Sequence, residues 1–144
     1  MAGADKLYTP ELLALAVSLA DFPPDPALPL HGEARSKSCG STLSADIAMD
    51  AGGRIERVGL RVRACAVGQA SAAIFARSAK GRSPQEIEVT RQGLLAWLEG
   101  TAELPEWPGL QALVPARDFP GRHGAIMLPW TAATAALSSL SADR

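Results

Sequence analysis

SCGSTLSADIAMDAGGRIERVGLRVRACAVGQAS, residues Ser38–Ser71, holds the only two cysteines of the chain and the pattern that decides its fold. Leu43, Ala45, Ile47 and Met49 alternate with Thr42, Ser44, Asp46 and Ala48, the period of two that marks a half-buried strand. Asp50-Ala51-Gly52-Gly53 is turn chemistry, because adjacent glycines reach positive φ without a Cβ clash. The chain returns through Ile55, Val58, Leu60 and Val62, with Arg57, Arg61 and Arg63 on the opposite parity. Ile55 is out of step with Val58, which predicts a bulge just after the turn. A return strand carries Cys65 back toward the end where Cys39 began.

Outward from this hairpin, the period changes to helical at Cys65. Val67, Ala70, Ile74 and Phe75 share a face, six alanines keep the helix thin, and Gly81 is placed to end it. Ser83-Pro84-Gln85-Glu86 is a capping box that opens a helix to about Glu99, burying Ile87, Leu94, Leu95 and Leu98. On the other side, Thr9 caps a helix opened by Pro10 and running to about Ala20, with Leu12, Leu13, Ala16, Leu19 and Ala20 as its packing stripe. Pro23, Pro24, Pro26 and Pro29 then favour an extended connector, and a first strand is expected over Glu33–Ser38. Four prolines between Thr101 and Gly121 leave room for a short turn near Leu110–Leu113. A last helix is expected from Pro129 to Ser141, with Leu128 non-helical because it precedes proline.

The chain has 144 residues, 47% of them hydrophobic, which is enough for one domain, residues 1–144, with a proper core. A net charge of −1 gives no global field for nucleic acid or anionic membrane. No apolar run reaches the length of a membrane span, and Leu12–Ala20 lacks the basic start of a secretory signal. The expected location is cytoplasmic. Two cysteines do not make a disulfide framework, so metal or thiol chemistry stands beside the plainer role of buried small residues.

Cys65 lies where strand gives way to helix, near free backbone N–H groups and the positive end of the helix dipole, which favours the thiolate. Arg63 adds to that, and Gly40 after Cys39 permits a tight turn and close approach of a ligand. If both thiols bind one zinc-like ion, their sulfurs lie about 3.8 Å apart, the edge of a tetrahedron with bonds of about 2.3 Å. A spacing of 25 intervening residues is not in itself a metal signature.

Cys39-Gly40 before a hairpin, Cys65-Ala66 followed by Gln69-Ala70-Ser71, and Arg122–Trp130 near the end resemble the U-type scaffolds of iron–sulfur cluster assembly. This is the IscU/SufU family, shared with the N-terminal domain of NifU; Leu7-Tyr8 leading into a helix is also similar. The resemblance implies an α+β fold, a three-stranded antiparallel sheet with helices packed on one face, and an exposed metal or cluster site at one end. It implies a cysteine desulfurase and iron–sulfur carrier or client proteins as partners, a labile iron–sulfur cluster or iron as cargo, zinc as an alternative, and no enzymatic activity. The family site uses three cysteines and an aspartate. Here Ser41 replaces the aspartate of Cys-Gly-Asp, and registering on Leu128 and Trp130 puts Ala125 at the third cysteine. Some members carry a histidine just before that cysteine; the matching position is Gly124, with His123 one residue earlier.

Three readings follow. Cys39 and Cys65, with His123 as a third ligand and Ser41 beside them, hold a labile cluster, iron or zinc, completed by a partner or a second copy of a monomer or weak homodimer. Alternatively, the fold docks to assembly partners as an accessory or regulatory protein without metal. In the third, the two thiols are a sulfur-accepting or redox pair. Arg54, Arg57, Arg61 and Arg63 read as a solvated strand face or a site for an anionic partner, and no interleaved aromatics point to nucleic acid. His31 reads as a surface residue, Trp97 and Trp130 as packing, and Trp107 as a loop anchor or a docking residue. No phosphate loop, Ser-His-Asp order or His-x-x-x-His is present.

Overall fold

The computed structural model describes residues 6–142. Strands β1 (Leu30–Arg35), β2 (Thr42–Met49) and β3 (Ile55–Arg63) form one antiparallel sheet in the order β1-β2-β3. Helices α1 (Pro10–Ser18), α2 (Ala66–Ala79), α3 (Pro84–Leu98) and α4 (His123–Ala142) complete the α+β architecture. Leu43, Ala45 and Ile47 of β2 and Leu60 of β3 point into the core, as the alternation required. The bulge is present: Ala48 pairs with Arg57, but Met49 pairs with Ile55. Asp50 fixes the turn by accepting the amides of Gly52 at 2.9 Å and Arg54 at 3.0 Å, and Gly53 takes φ +80°.

β1 begins and ends three residues earlier than expected. Pro29 stops short of the strand, so Leu30 is free to pair with Ile47. After Arg35 the backbone turns: Ser36 donates to the Ser41 carbonyl at 2.8 Å and Gly40 donates to the Ser36 carbonyl at 2.9 Å. Gly32 sits under α4, where a Cβ would run into the Ala132 carbonyl and come within 2.5 Å of the Ala136 amide nitrogen. This backbone-to-backbone approach fixes the height of α4 over the sheet. The outer edge of β3 is covered by the proline-rich connector, with Leu60 donating to the Phe22 carbonyl at 3.0 Å.

α2 is buried on nearly every side rather than along one stripe, because its alanines let α1, α4 and the sheet approach together. In α1 the inward residues are Leu12 and Leu15, and Leu13 faces out, about 100° round from Leu12. In α3 Trp97 packs into the core as expected, whereas Leu95, about 200° round the helix from it, is exposed and not buried as expected. The Thr9 and Ser83 hydroxyls cap α1 and α3 by accepting from Leu12 at 3.1 Å and Glu86 at 3.2 Å. The proline-rich stretch carries more structure than a single turn, with 3₁₀ segments at Leu110–Asp118 and Pro120–Arg122. Trp107 is a core anchor: its ring stacks on Phe75 at 5.7 Å, meets Trp130 edge-on at 5.4 Å, and its Nε1 donates to the Ile74 carbonyl at 3.0 Å.

α4 starts six residues before the expected start, with Pro129 inside it. An internal proline removes one helical hydrogen bond. Here the cost is offset by burial of Ala125, Ile126, Leu128 and Trp130 and by a 2.6 Å bond from the Ser71 hydroxyl to the Ile126 carbonyl. This matters for the site, because the segment from His123 to Leu128 is helix and not loop.

Candidate functional site

Strand register brings the two cysteines to one end of the sheet. Thr42 pairs with both Arg35 and Arg63 in the last rung of the ladder. Cys39 lies in the β1–β2 turn just beyond that rung, and Cys65 lies two residues after Arg63 at the N-cap of α2. Both are free thiols; Cys39 is exposed and Cys65 half-buried. Gly40 adopts φ +71°, the left-handed conformation that lets the turn close directly behind Cys39.

The start of α4 packs into the same place. A Cβ on Gly124 would collide with the Ser36 hydroxyl and lie 3.4 Å from that of Ser38. A Cβ on Gly68 would lie 3.3 Å from the Cβ of Ala125 and 2.6 Å from that of Ala64, the neighbour of Cys65. Two glycines therefore allow the turn, the first helical turns of α2 and the first turn of α4 to meet. All three sequence motifs converge at one end of the molecule.

Cys39 has a built surrounding. Its sulfur lies 3.3 Å from the Ser36 hydroxyl and 3.0 Å from that of Ser41, and both serines are buried. As a thiolate it accepts from both. The Ser36 hydroxyl, then the Ser41 hydroxyl and backbone, hold the Cys39 thiol down from the ordinary 9.0 to about 7, against a smaller opposing effect of desolvation. Ser36 and Ser38 escaped the sequence reading, although serines at 36, 38 and 41 around one cysteine were a usable signal. Cys65 occupies the N-cap with φ −65° and ψ 174°, but its sulfur makes no capping hydrogen bond. Cys65 thus stands at the helix N-terminus as expected, without a hydrogen bond from its sulfur to the helix N–H groups.

Of the remaining candidates, His123 and Ala125 offer the thiols no ligand, and Ser41 lies against Cys39. His123, the first residue of α4, is turned toward the 3₁₀ segment, where its Nε2 donates to the Arg117 carbonyl at 2.6 Å. Ala125 is fully buried and offers only a methyl group. Ser41 directs its hydroxyl at the Cys39 sulfur. Among the described residues, no three His, Cys, Asp or Glu side chains group closely enough to hold a metal ion. Of the candidates, Cys39 and Cys65 alone offer free thiols, two where a tetrahedral ion takes four ligands.

Basic residues gather at this end of the sheet, with Glu33 in the rung of Ser44 and Arg61. Arg35 and Arg63 flank Thr42, Arg61 follows one rung in, and Lys37 sits in the turn. None of the four forms an ion pair with an acidic side chain among the described residues, whereas Arg54 pairs with Glu86 at 2.8 Å and Arg57 with Asp25 at 3.3 Å. His31 is a surface residue, 2.7 Å from Asp46. No helix among the described residues is long and apolar enough to cross a membrane.

The fold is known from solved structures. A crystal structure of a nitrogen-fixing NifU-like protein (N-terminal) from Brucella abortus superposes with a TM-score of 0.90 over 99% of both chains, at 24% identity. An iron–sulfur cluster assembly scaffold protein for the SUF system from Fervidobacterium islandicum AW-1 superposes with a TM-score of 0.78, covering 91% of this chain and 96% of that one, at 22% identity. The three-stranded sheet with its helices is therefore the NifU-like N-terminal fold. No family model and no curated protein matches the sequence.

Proposed function

We propose that this chain is a divergent U-type scaffold of the IscU/SufU/NifU N-terminal kind, which carries cargo for iron–sulfur cluster assembly on Cys39 and Cys65. The observation that carries this reading is the convergence of both thiols with the start of α4 at one exposed end of a NifU-type fold. Iron, a labile cluster or zinc is the cargo, received with the help of a cysteine desulfurase and passed to carrier or client proteins in the cytoplasm. The chain binds and hands over; it catalyses no reaction of its own. With two protein thiolates and open positions, the cargo is held loosely and lost as the thiolates protonate.

Anaerobic reconstitution with iron and sulfide tests the reading. The expected product shows sulfur-to-iron charge-transfer absorption that is lost in both Cys39→Ser and Cys65→Ser. A colourless, metal-free product would instead favour an accessory protein that only docks to the assembly machinery.

A second reading is favoured by the serine hydroxyls around Cys39. In it Cys39 accepts sulfur directly. Its thiolate attacks the terminal sulfur of a desulfurase persulfide, a new S–S bond forms on Cys39, the donor S–S bond breaks, and its electron pair leaves with the donor cysteine as thiolate. No external oxidant or reductant is needed. The product is a chain one sulfur atom heavier, released by phosphine or thiol reductants and absent in Cys39→Ser.

A further inference from the structure

We propose that the outer edge of β1 is a pairing edge for a second copy of this chain, whose own β1 lies antiparallel across it and joins two three-stranded sheets into one of six strands. The pairing uses neither thiol and no metal, so it stands or falls apart from the scaffold reading.

The hydrogen bonds of the sheet leave this edge open. Ser36 donates to the Ser41 carbonyl, so the backbone groups of Ser36 and, by alternation, of Ala34, Gly32 and Leu30 face β2. Those of His31, Glu33 and Arg35 face away, on the strand that ends the sheet order, and meet no backbone partner among the described residues. The opposite edge, on β3, is instead closed where Leu60 donates to the Phe22 carbonyl. A row of free backbone donors and acceptors is a template for one more strand.

Space and charge choose the occupant. A groove of about 390 Å³ lies beside the edge, between Ala34 and the Met127, Leu128 and Thr131 flank of α4. The inward residues of β1 are small enough to enter it, Gly32 and Ala34. From Thr131 the exposed positions on that flank continue as Ala135 and Ser138, also small, which leaves room for the α4 of the other copy. A two-fold axis beside Ala34 sets Glu33 opposite the partner's Arg35, and Arg35 opposite the partner's Glu33. Each of these pairs exchanges two backbone hydrogen bonds, with its side chains together on the solvent face. Glu33 and Arg35 are exposed, and neither forms an ion pair among the described residues. A shift of two residues either way sets Glu33 against the partner's Glu33 or Arg35 against the partner's Arg35, so charge selects one register.

Sedimentation velocity and native mass spectrometry of the reduced full-length chain, in chelator so that no metal bridges two copies, test the pairing. The expected result is a monomer that becomes a dimer as concentration rises, with the backbone amides of Glu33 and Arg35 gaining protection from hydrogen exchange in step. Glu33→Arg alone and Arg35→Glu alone set like charges across both pairs, and each should weaken the dimer on the order of ten-fold or more. Mixed in equal amounts, the two variants present opposite charges again and should form a mixed dimer. Both positions are exposed, so neither substitution disturbs the core. A monomer at every concentration would overturn the pairing and leave the edge to an extended segment of another protein. A dimer unchanged in both variants, or variants that stay monomeric when mixed, would overturn it as well.

Discussion

Replacing Ser36 and Ser41 together by alanine, in a Cys65→Ser background, strips the two hydroxyls from the Cys39 sulfur and leaves one thiol to follow. The backbone bonds that close the turn, from Ser36 to the Ser41 carbonyl and from Gly40 to the Ser36 carbonyl, do not involve either side chain. With the thiol held at about 7, half of Cys39 is thiolate at neutral pH. Full return to the ordinary 9.0 leaves about 1% thiolate at pH 7, roughly a fifty-fold loss. Part of that loss is recovered, because a more basic thiolate is intrinsically more nucleophilic, by about eight-fold over two pKa units. The Ser41 backbone contribution stays in the variant, so alkylation should be slower by up to about six-fold at pH 7 and faster than the parent above pH 9, with the two rate profiles crossing between. Iodoacetamide kinetics from pH 5 to pH 10, followed by mass spectrometry, measure both midpoints. A midpoint still near 7 in the double variant, with the turn intact by circular dichroism, would refute the assignment of the acidity to these hydroxyls.

Gly32→Ala should be strongly destabilising, by about 3 kcal/mol, since its Cβ meets backbone of α4 that cannot step aside; the urea midpoint reads it. Glu88 is held down to about 2 chiefly by its hydrogen bond with Arg91, assisted by Gln92 and by Thr134 of α4. A lowered carboxyl adds stability above its ordinary 4.5 and loses it as pH falls through 2, so Glu88→Gln should cost about 0.5 kcal/mol at pH 7, with the gap to wild type closing between pH 4.5 and pH 2.

The hairpin was legible because its signals were local and agreed: alternation on both strands, two glycines in the turn, and a break in parity where the bulge lies. The capping residues Thr9 and Ser83 were legible for the same reason. What failed was decided by contacts distant in sequence. Pro129 argues against helix at Leu128, and only the burial of Ile126 and Trp130 and the Ser71 hydroxyl reaching across from α2 outweigh it. Leu95 lies next to the Ile87–Leu94–Leu98 stripe of α3, and whether that flank is covered depends on where neighbouring elements press. In the site, the joint position of the cysteines followed from strand pairing, whereas the orientation of His123 depended on a carbonyl of the 3₁₀ segment that no motif announces.

Ser41 shows what a hydroxyl rather than a carboxylate does for the thiol beside it. An aspartate at this position would place a carboxylate where the hydroxyl now lies 3.0 Å from the Cys39 sulfur. Even in water, two unit charges at that separation repel by about 1.4 kcal/mol, close to one pKa unit, and more where solvent is partly excluded. The carboxylate also has no proton to donate, so one of the bonds that lowers the thiol pKa disappears with it. A hydroxyl in place of a carboxylate therefore leaves a more acidic and more available thiolate at Cys39. Ser41→Asp should reverse this, raising the Cys39 midpoint by at least about one unit in the same alkylation assay while adding a carboxylate that helps retain zinc. If Ser41→Asp left the midpoint near 7, the hydroxyl would not be what sets the character of this thiol, and the sulfur-accepting reading would lose its physical basis.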